Sequence, residues 1–189
     1  MTIIQHNFVC GLEEIAGHAA HNVSHILSIV DPELGDIAGL SAHTPARHVR
    51  LRFHDIIEPA EGMVMPTAED VSTILEFGES NRVHAKTAKG MLIHCHMGIS
   101  RSSAAMASIL AQRNAGSSED AIFEMLREIR PRAWPNSVII AHADDLLGKH
   151  GAFVSALRRH YAHQLRKEPQ MGDWIASLGR QSEVNMASG

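Results

Sequence analysis

Cysteine is nearly absent from this chain: Cys10 and Cys95 are the only two in 189 residues. That pair builds no disulfide framework, and so few thiols point to a reducing compartment, read as cytoplasmic. Aromatics are scarce as well, with two Trp, one Tyr and five Phe, so no Tyr-rich recognition loop is present. The longest apolar runs, residues 104–107 and 138–141, fall far short of the roughly 20 residues that a membrane-spanning helix needs. Residues 1–11 carry no basic stretch, and Gln5, His6 and Asn7 interrupt their apolar positions; no secretory signal is read there. Charge of one sign is lacking too. Seventeen Lys and Arg stand against 21 Asp and Glu, giving −4 with the 14 histidines neutral. This balance exerts no general pull on nucleic acid or anionic membrane. The small clusters Arg47/Arg50/Arg52 and Arg158/Arg159/His160 read as solvated faces of a strand and a helix. Any affinity for anions must come from a local site.

What is there is a globular composition, 44% hydrophobic and 20% charged, of a size that suits one domain. No repeat and no Gly-, Ser- or Pro-rich linker occurs before residue 165. The expected organisation is one domain over 1–165, then a polar C-terminal extension, 166–189, that is partly mobile. Strands are expected at 2–9, 24–30, 49–53 and 90–94. Val49, Leu51 and Phe53 alternate with Arg50, Arg52 and His54 as a half-buried strand requires. Helices are expected at 12–20, from Thr67 onward, at 102–113, after Ser117 and Asp120, from Asn136 or Ser137 to about Leu147, and at 152–165. Thr67 and Asp70 have capping-box spacing, and Val71, Ile74, Leu75 and Gly78 form an inner face. Strands alternating with helices predict an α/β fold: a mostly parallel sheet of four to five strands flanked by helices.

Chemistry concentrates in His94-Cys95-His96-Met97-Gly98-Ile99-Ser100-Arg101-Ser102. This segment joins an expected strand to an expected helix, where a parallel sheet presents its carboxyl edge to ligands. A loop entering a helix aims backbone N–H groups into an electropositive hollow. Gly98 permits backbone geometry that a side chain would obstruct, and Arg101 offers a planar clamp for two phosphate oxygens. A cysteine facing such a site ionises readily.

The segment HCHMGISRS resembles the signature loop of cysteine-dependent protein tyrosine phosphatases, H-C-x5-R-S/T. The likeness extends more loosely over residues 3–148, where Pro135-Asn136 resembles the Pro-Asn opening a late helix in dual-specificity phosphatases. The resemblance implies hydrolysis of phosphate monoesters through a phosphocysteine, without metal or other cofactor. Cys95 is then the nucleophile, Arg101 the phosphate clamp, and residues His96, Met97, Gly98, Ile99 and Ser100 the anion cradle. Ser102 would assist departure of the thiolate, and His94 would support the loop. Asp55 follows the strand ending at Phe53–His54, so parallel strands bring it to the edge where Cys95 emerges. It is the expected general acid, with Glu58 and Glu61 on the same loop as alternatives. Asp31-Pro32 reads as a turn.

Other readings carry less. His94, Cys95 and His96 alternate sides in an extended segment and do not make one tetrahedral metal site. No G-x-x-x-x-G-K-[ST] occurs, so nucleotide binding of the P-loop type is excluded. Cys10 reads as core packing. A mid-chain nucleophile argues against the low-molecular-weight phosphatases, and the H-C-x5-R-S spacing against rhodanese-like sulfur transfer. A phosphate-binding module without a working acid, and a phosphoinositide phosphatase, stand as alternatives. The loop holds no lysine, and Met97 and Ile99 give it an apolar lip; both favour aryl, phosphotyrosine-type esters on a phosphoprotein or small molecule. Oligomeric state is not written in the sequence.

Overall fold

A computed structural model describes residues 6–21, 23–83 and 90–188. The expected strand at 2–9 therefore lies partly outside the described residues; its described part is β1, Asn7–Cys10. With β2 (His25–Val30), β3 (Arg47–Arg52) and β4 (Met91–His94) it forms a four-stranded sheet. All pairings are parallel and the order is β1-β4-β2-β3. The architecture is α/β, as expected. β2 and β4 occupy the middle and are buried at every position, which is why SHILSIV and GMLIH read as near-continuous apolar runs.

Period-two alternation sorts the strand residues onto two faces. Val9, Leu27, Ile29, Leu51, Met91 and Ile93 join the larger core. Helices α1 (Ala68–Val83), α2 (Arg101–Arg113), α3 (Glu119–Ile129), α4 (Ser137–Leu146) and α5 (Ala152–Lys167) follow in the chain. Cys10, Ile26, Val30 and Leu92 face the other way and pack on Ile15, Val23 and Ile37. That side is closed by Leu12–His21, where the expected helix winds as a tight 3-10 helix; Gly17 inside the segment weakens a regular α-helix.

Local capping follows the sequence closely. The Thr67 backbone N–H and hydroxyl both donate to Asp70, and the Asp70 N–H returns a bond to Thr67 Oγ1, opening α1 as a reciprocal capping box. Asn136 Oδ1 accepts from Val138 and Ile139 N–H and opens α4. Ser118, not Ser117, caps α3, its hydroxyl accepting from Ala121 N–H; Asp120 sits in the first turn. The arginines of β3 do more than face solvent. Arg50 donates to Leu34 O at 2.8 Å, and Arg52 to Pro32 O at 2.5 Å, fastening the loop that follows β2.

The C-terminal extension departs from expectation. Residues after Pro169 form two helices, α6 (Gln170–Ser177) and α7 (Gln181–Met186), not a polar tail. Met171, Trp174, Ile175 and Leu178 recur at i, i+3, i+4 and i+7, the spacing of an amphipathic helix. Met171 and Ile175 enter the larger core and Trp174 packs against it. Among the described residues no helix is long and apolar enough to cross a membrane.

Candidate active site

Four parallel strands end at one edge, and each delivers residues to the same place. β4 runs into Cys95, β1 into Gly11, β2 into Asp31, and β3 through Phe53 to Asp55. Cys95 is 3% exposed and its Sγ lies 3.1 Å from Ser102 Oγ in the first turn of α2. The loop between them rests on the end of β1. Leu12 N–H donates to His96 O and Cys95 N–H to Cys10 O. Gly98 has φ +69, and a Cβ there would stand 2.4 Å from the Cys10 carbonyl carbon. Only glycine satisfies both conditions. Trp134 N–H donates to Ile99 O, and Asn136 N–H to Ser100 O, from the other side.

Among the described residues, no protein group accepts a bond from the backbone N–H of residues 96–100. Those amides and the start of the 13-residue α2 make a ready anion cradle. Arg101 is buried, 3% exposed. Its Nη1 donates to Asp31 Oδ1 at 2.6 Å and to Phe53 O at 2.5 Å. Its Nε is buried with no partner among the described residues, a donor that an oxyanion would satisfy. His94 is fully buried and its Nε2 lies 2.6 Å from Ser28 Oγ, which in turn meets His48 Nε2 at 2.8 Å. Burial pulls its pKa down to about 4, so the ring is neutral at the base of the loop.

Asp55 sits at the rim with both oxygens engaged. Oδ1 accepts from Ser100 Oγ at 2.7 Å and Asn136 Nδ2 at 3.0 Å, and Oδ2 from Arg180 Nη1 at 3.3 Å. Of the two alternatives, Glu58 accepts a bond from Ser182 and is exposed, and Glu61 is exposed. Asp31 is more than a turn. Its backbone carbonyl does accept from Leu34 N–H, but its carboxylate reaches both Arg101 and His96, the latter at 3.5 Å. No local pattern in the sequence signals that reach. Cys10 is buried on the opposite face of the sheet from Cys95, and burial pushes its thiol up to about 12. Among the described residues no three His, Cys, Asp or Glu side chains gather as a metal-ligand set.

Cys95, His96, Met97, Ile99, Ser100, Arg101 and Asp55 share one cavity of about 290 Å³. Its remaining wall comes from Ile56, Met63, Trp174, Ile175, Leu178 and Arg180. Sequence reasoning missed all six, though the helical spacing of Trp174, Ile175 and Leu178 could have found those three.

No family model and no curated protein matches the chain. Solved structures do. Human DUSP28 superposes at TM-score 0.56 with 15% identity, covering 77% of this chain and 94% of that one. The Yvh1 phosphatase domain from Chaetomium thermophilum gives TM-score 0.55 at 21% identity, over 78% and 93%. The human tyrosine phosphatase-like serine/threonine/tyrosine-interacting protein gives 0.56 at 18%, over 79% and 95%. The chain has the fold of the dual-specificity phosphatases.

Proposed function

We propose that the chain hydrolyses phosphate monoesters through a phosphocysteine intermediate, with a preference for aryl esters of the phosphotyrosine type. The observation that carries this reading is the conjunction in one cavity of Cys95, loop amides with no acceptor among the described residues, and the buried, half-satisfied guanidinium of Arg101.

In the first step the Cys95 thiolate attacks phosphorus. An S–P bond forms, the P–O bond to the leaving group breaks, and Asp55 delivers a proton to the departing oxygen. In the second, Asp55 takes a proton from water as it attacks phosphorus; the S–P bond breaks and Ser102 Oγ–H, 3.1 Å away, supports the returning thiolate. Residues His96, Met97, Gly98, Ile99 and Ser100 supply N–H groups to the equatorial oxygens throughout, with Arg101 as the fixed cation. Neutral His94 holds the start of the loop through Ser28.

The rim supports the aryl preference. Met63, Met97 and Leu178 are large apolar side chains left 42–55% exposed, and all three line the cavity beside Trp174. Its two arginines, Arg101 and Arg180, are each paired with a carboxylate. An apolar mouth with committed cations suits one phosphate on a flat ring better than a polyphosphorylated headgroup. The test is hydrolysis of p-nitrophenyl phosphate with EDTA present, comparing wild type with Cys95→Ser, followed by phosphotyrosine peptide against phosphoinositide. Metal-independent turnover that vanishes in the variant, with vanadate binding retained, is the expected result. A folded wild type that binds vanadate and turns nothing over would make the site a phosphate-binding module instead.

A further inference from the structure

The C-terminal helices bring a second buried cation to the cavity. Arg180 follows α6, 3% exposed, and Glu183 in α7 is completely buried. They pair with each other: Arg180 Nε donates to Glu183 Oε2 at 2.9 Å, and Nη2 lies 2.6 Å from the same oxygen. Glu183 is fixed in turn by Trp134 Nε1–H and by the backbone N–H of Ser137 at the start of α4, each at 2.8 Å. A buried ion pair is a poor source of stability, because an apolar pair of similar volume does as well or better. What distinguishes this one is where the free end of the guanidinium points. Arg180 Nη1 donates to Ser100 Oγ at 2.6 Å and to Asp55 Oδ2 at 3.3 Å, and Ser100 Oγ–H itself donates to Asp55 Oδ1.

We infer that Arg180 is a positioning residue for proton transfer, holding the Asp55 carboxyl in register with the phosphate loop through Ser100. The inference rests on the phosphatase reading above. Asp55 and Ser100 belong to different loops, and a reacting group displaced by about 1 Å loses much of its effect. Arg180 is bonded to both loops, and Glu183, anchored on Trp134 and α4, prevents the guanidinium from swinging away. Oδ1 of Asp55 is held by two short bonds, so Oδ2, with its single longer contact, is the oxygen that carries the proton. When that proton passes to the leaving oxygen, the adjacent guanidinium stabilises the carboxylate left behind.

The test uses kcat/KM, which reports P–O cleavage, over a series of aryl phosphates from dinitrophenyl to phenyl, with wild type, Arg180→Gln and Arg180→Lys. A good leaving group departs as its anion and needs no proton; phenol does. Arg180→Gln is expected to slow phenyl phosphate by roughly 10–100-fold and dinitrophenyl phosphate by less than about 3-fold, a part of the usual worth of general-acid catalysis. Arg180→Lys keeps the charge but not the fork, and is expected to show the same pattern with a smaller loss. It carries the test should the glutamine variant fail to fold. In an Asp55→Asn background the Arg180 substitutions should have no further effect on phenyl phosphate. Vanadate affinity, which a collapsed cradle would lower, should stay within about 3-fold in both variants. A loss of equal size across the series, or one that adds to that of Asp55→Asn, overturns the positioning role while leaving the phosphatase reading intact. A wild type inert on every ester overturns both.

Discussion

Acid should destabilise this fold through His160. The ring is 2% exposed on α5 and stacks on Phe123, with centroids 5.1 Å apart. Its Nε2–H donates to Ala133 O at 2.9 Å, and its Nδ1 lies 3.1 Å from Arg127 Nη1. A guanidinium only donates, so Nδ1 accepts and the ring is neutral. Burial first, then the positive charge of Arg127, lowers its pKa from 6.5 to about 4. As pH falls past 6.5 the unfolded chain takes up a proton that the folded chain refuses until about pH 4. The unfolded state binds more protons throughout that window, so stability falls with pH, by about 1.4 kcal/mol per unit, or roughly 2 kcal/mol at pH 5. His94, likewise lowered to about 4 by burial, adds a similar slope. Substituting His160→Gln keeps a donor for Ala133 and an acceptor for Arg127 but never titrates. It gives up the ring stacking, on the order of 1 kcal/mol. Urea unfolding followed by tryptophan fluorescence from about pH 7.5 to 4.8 should therefore find the variant weaker near neutrality. The two stability curves should cross close to about pH 5.8, with the variant the more stable below it. Curves that stay parallel would refute the reasoning. The outcome bears on the proposed activity, because any fall in hydrolysis rate on the acid side must be separated from this loss of stability.

Two further perturbations address the loop itself. Gly98→Ala puts a Cβ against the backbone of Cys10 and Gly11, at 2.4 and 2.6 Å, at a positive φ; a loss of about 1–3 kcal/mol and of vanadate binding is expected in melts and inhibition assays. Asp31→Asn removes the carboxylate that competes with an oxyanion for Arg101 at 2.6 Å, and should tighten vanadate inhibition by roughly 3–10-fold. Weaker inhibition in that variant would make Asp31 chiefly a support for Arg101.

The parts of the fold that the sequence disclosed are those decided by near neighbours. Thr67 and Asp70 cap α1 across three residues, Asn136 caps α4 from within its own turn, and the apolar run Met91–Ile93 becomes a central strand because helices and turns cover both faces of it. In the same way, residues 94–102 contain strand end, loop and helix start in sequence, so this strand–loop–helix unit was legible as a whole. The 3-10 segment beside β1 was less so. Its apolar residues have helical spacing, but Gly17 within it and the bond from Leu12 N–H to His96 O at its start tie its winding to groups that the spacing does not show.

Asp55 shows where such reading stops. The strand it follows put it at the correct edge of the sheet, but the groups that fix its carboxyl stand 45, 81 and 125 residues away, at Ser100, Asn136 and Arg180. None is marked by spacing relative to Asp55, because the contacts arise from where separate elements meet. Arg180 and Glu183 were the hardest of all. Two opposite charges three residues apart are normally the mark of an exposed helix, where such a pair is worth a few tenths of a kcal/mol. Here the apolar residues Met171, Trp174 and Ile175 draw the segment onto the domain, and the charges follow them into the interior. Once there, Glu183 and Arg180 neutralise each other, and the free end of the guanidinium is left to meet polar partners. Those partners are Ser100 and the Asp55 carboxyl, so the apolar stripe of α6 and the geometry of the expected acid are linked through one guanidinium.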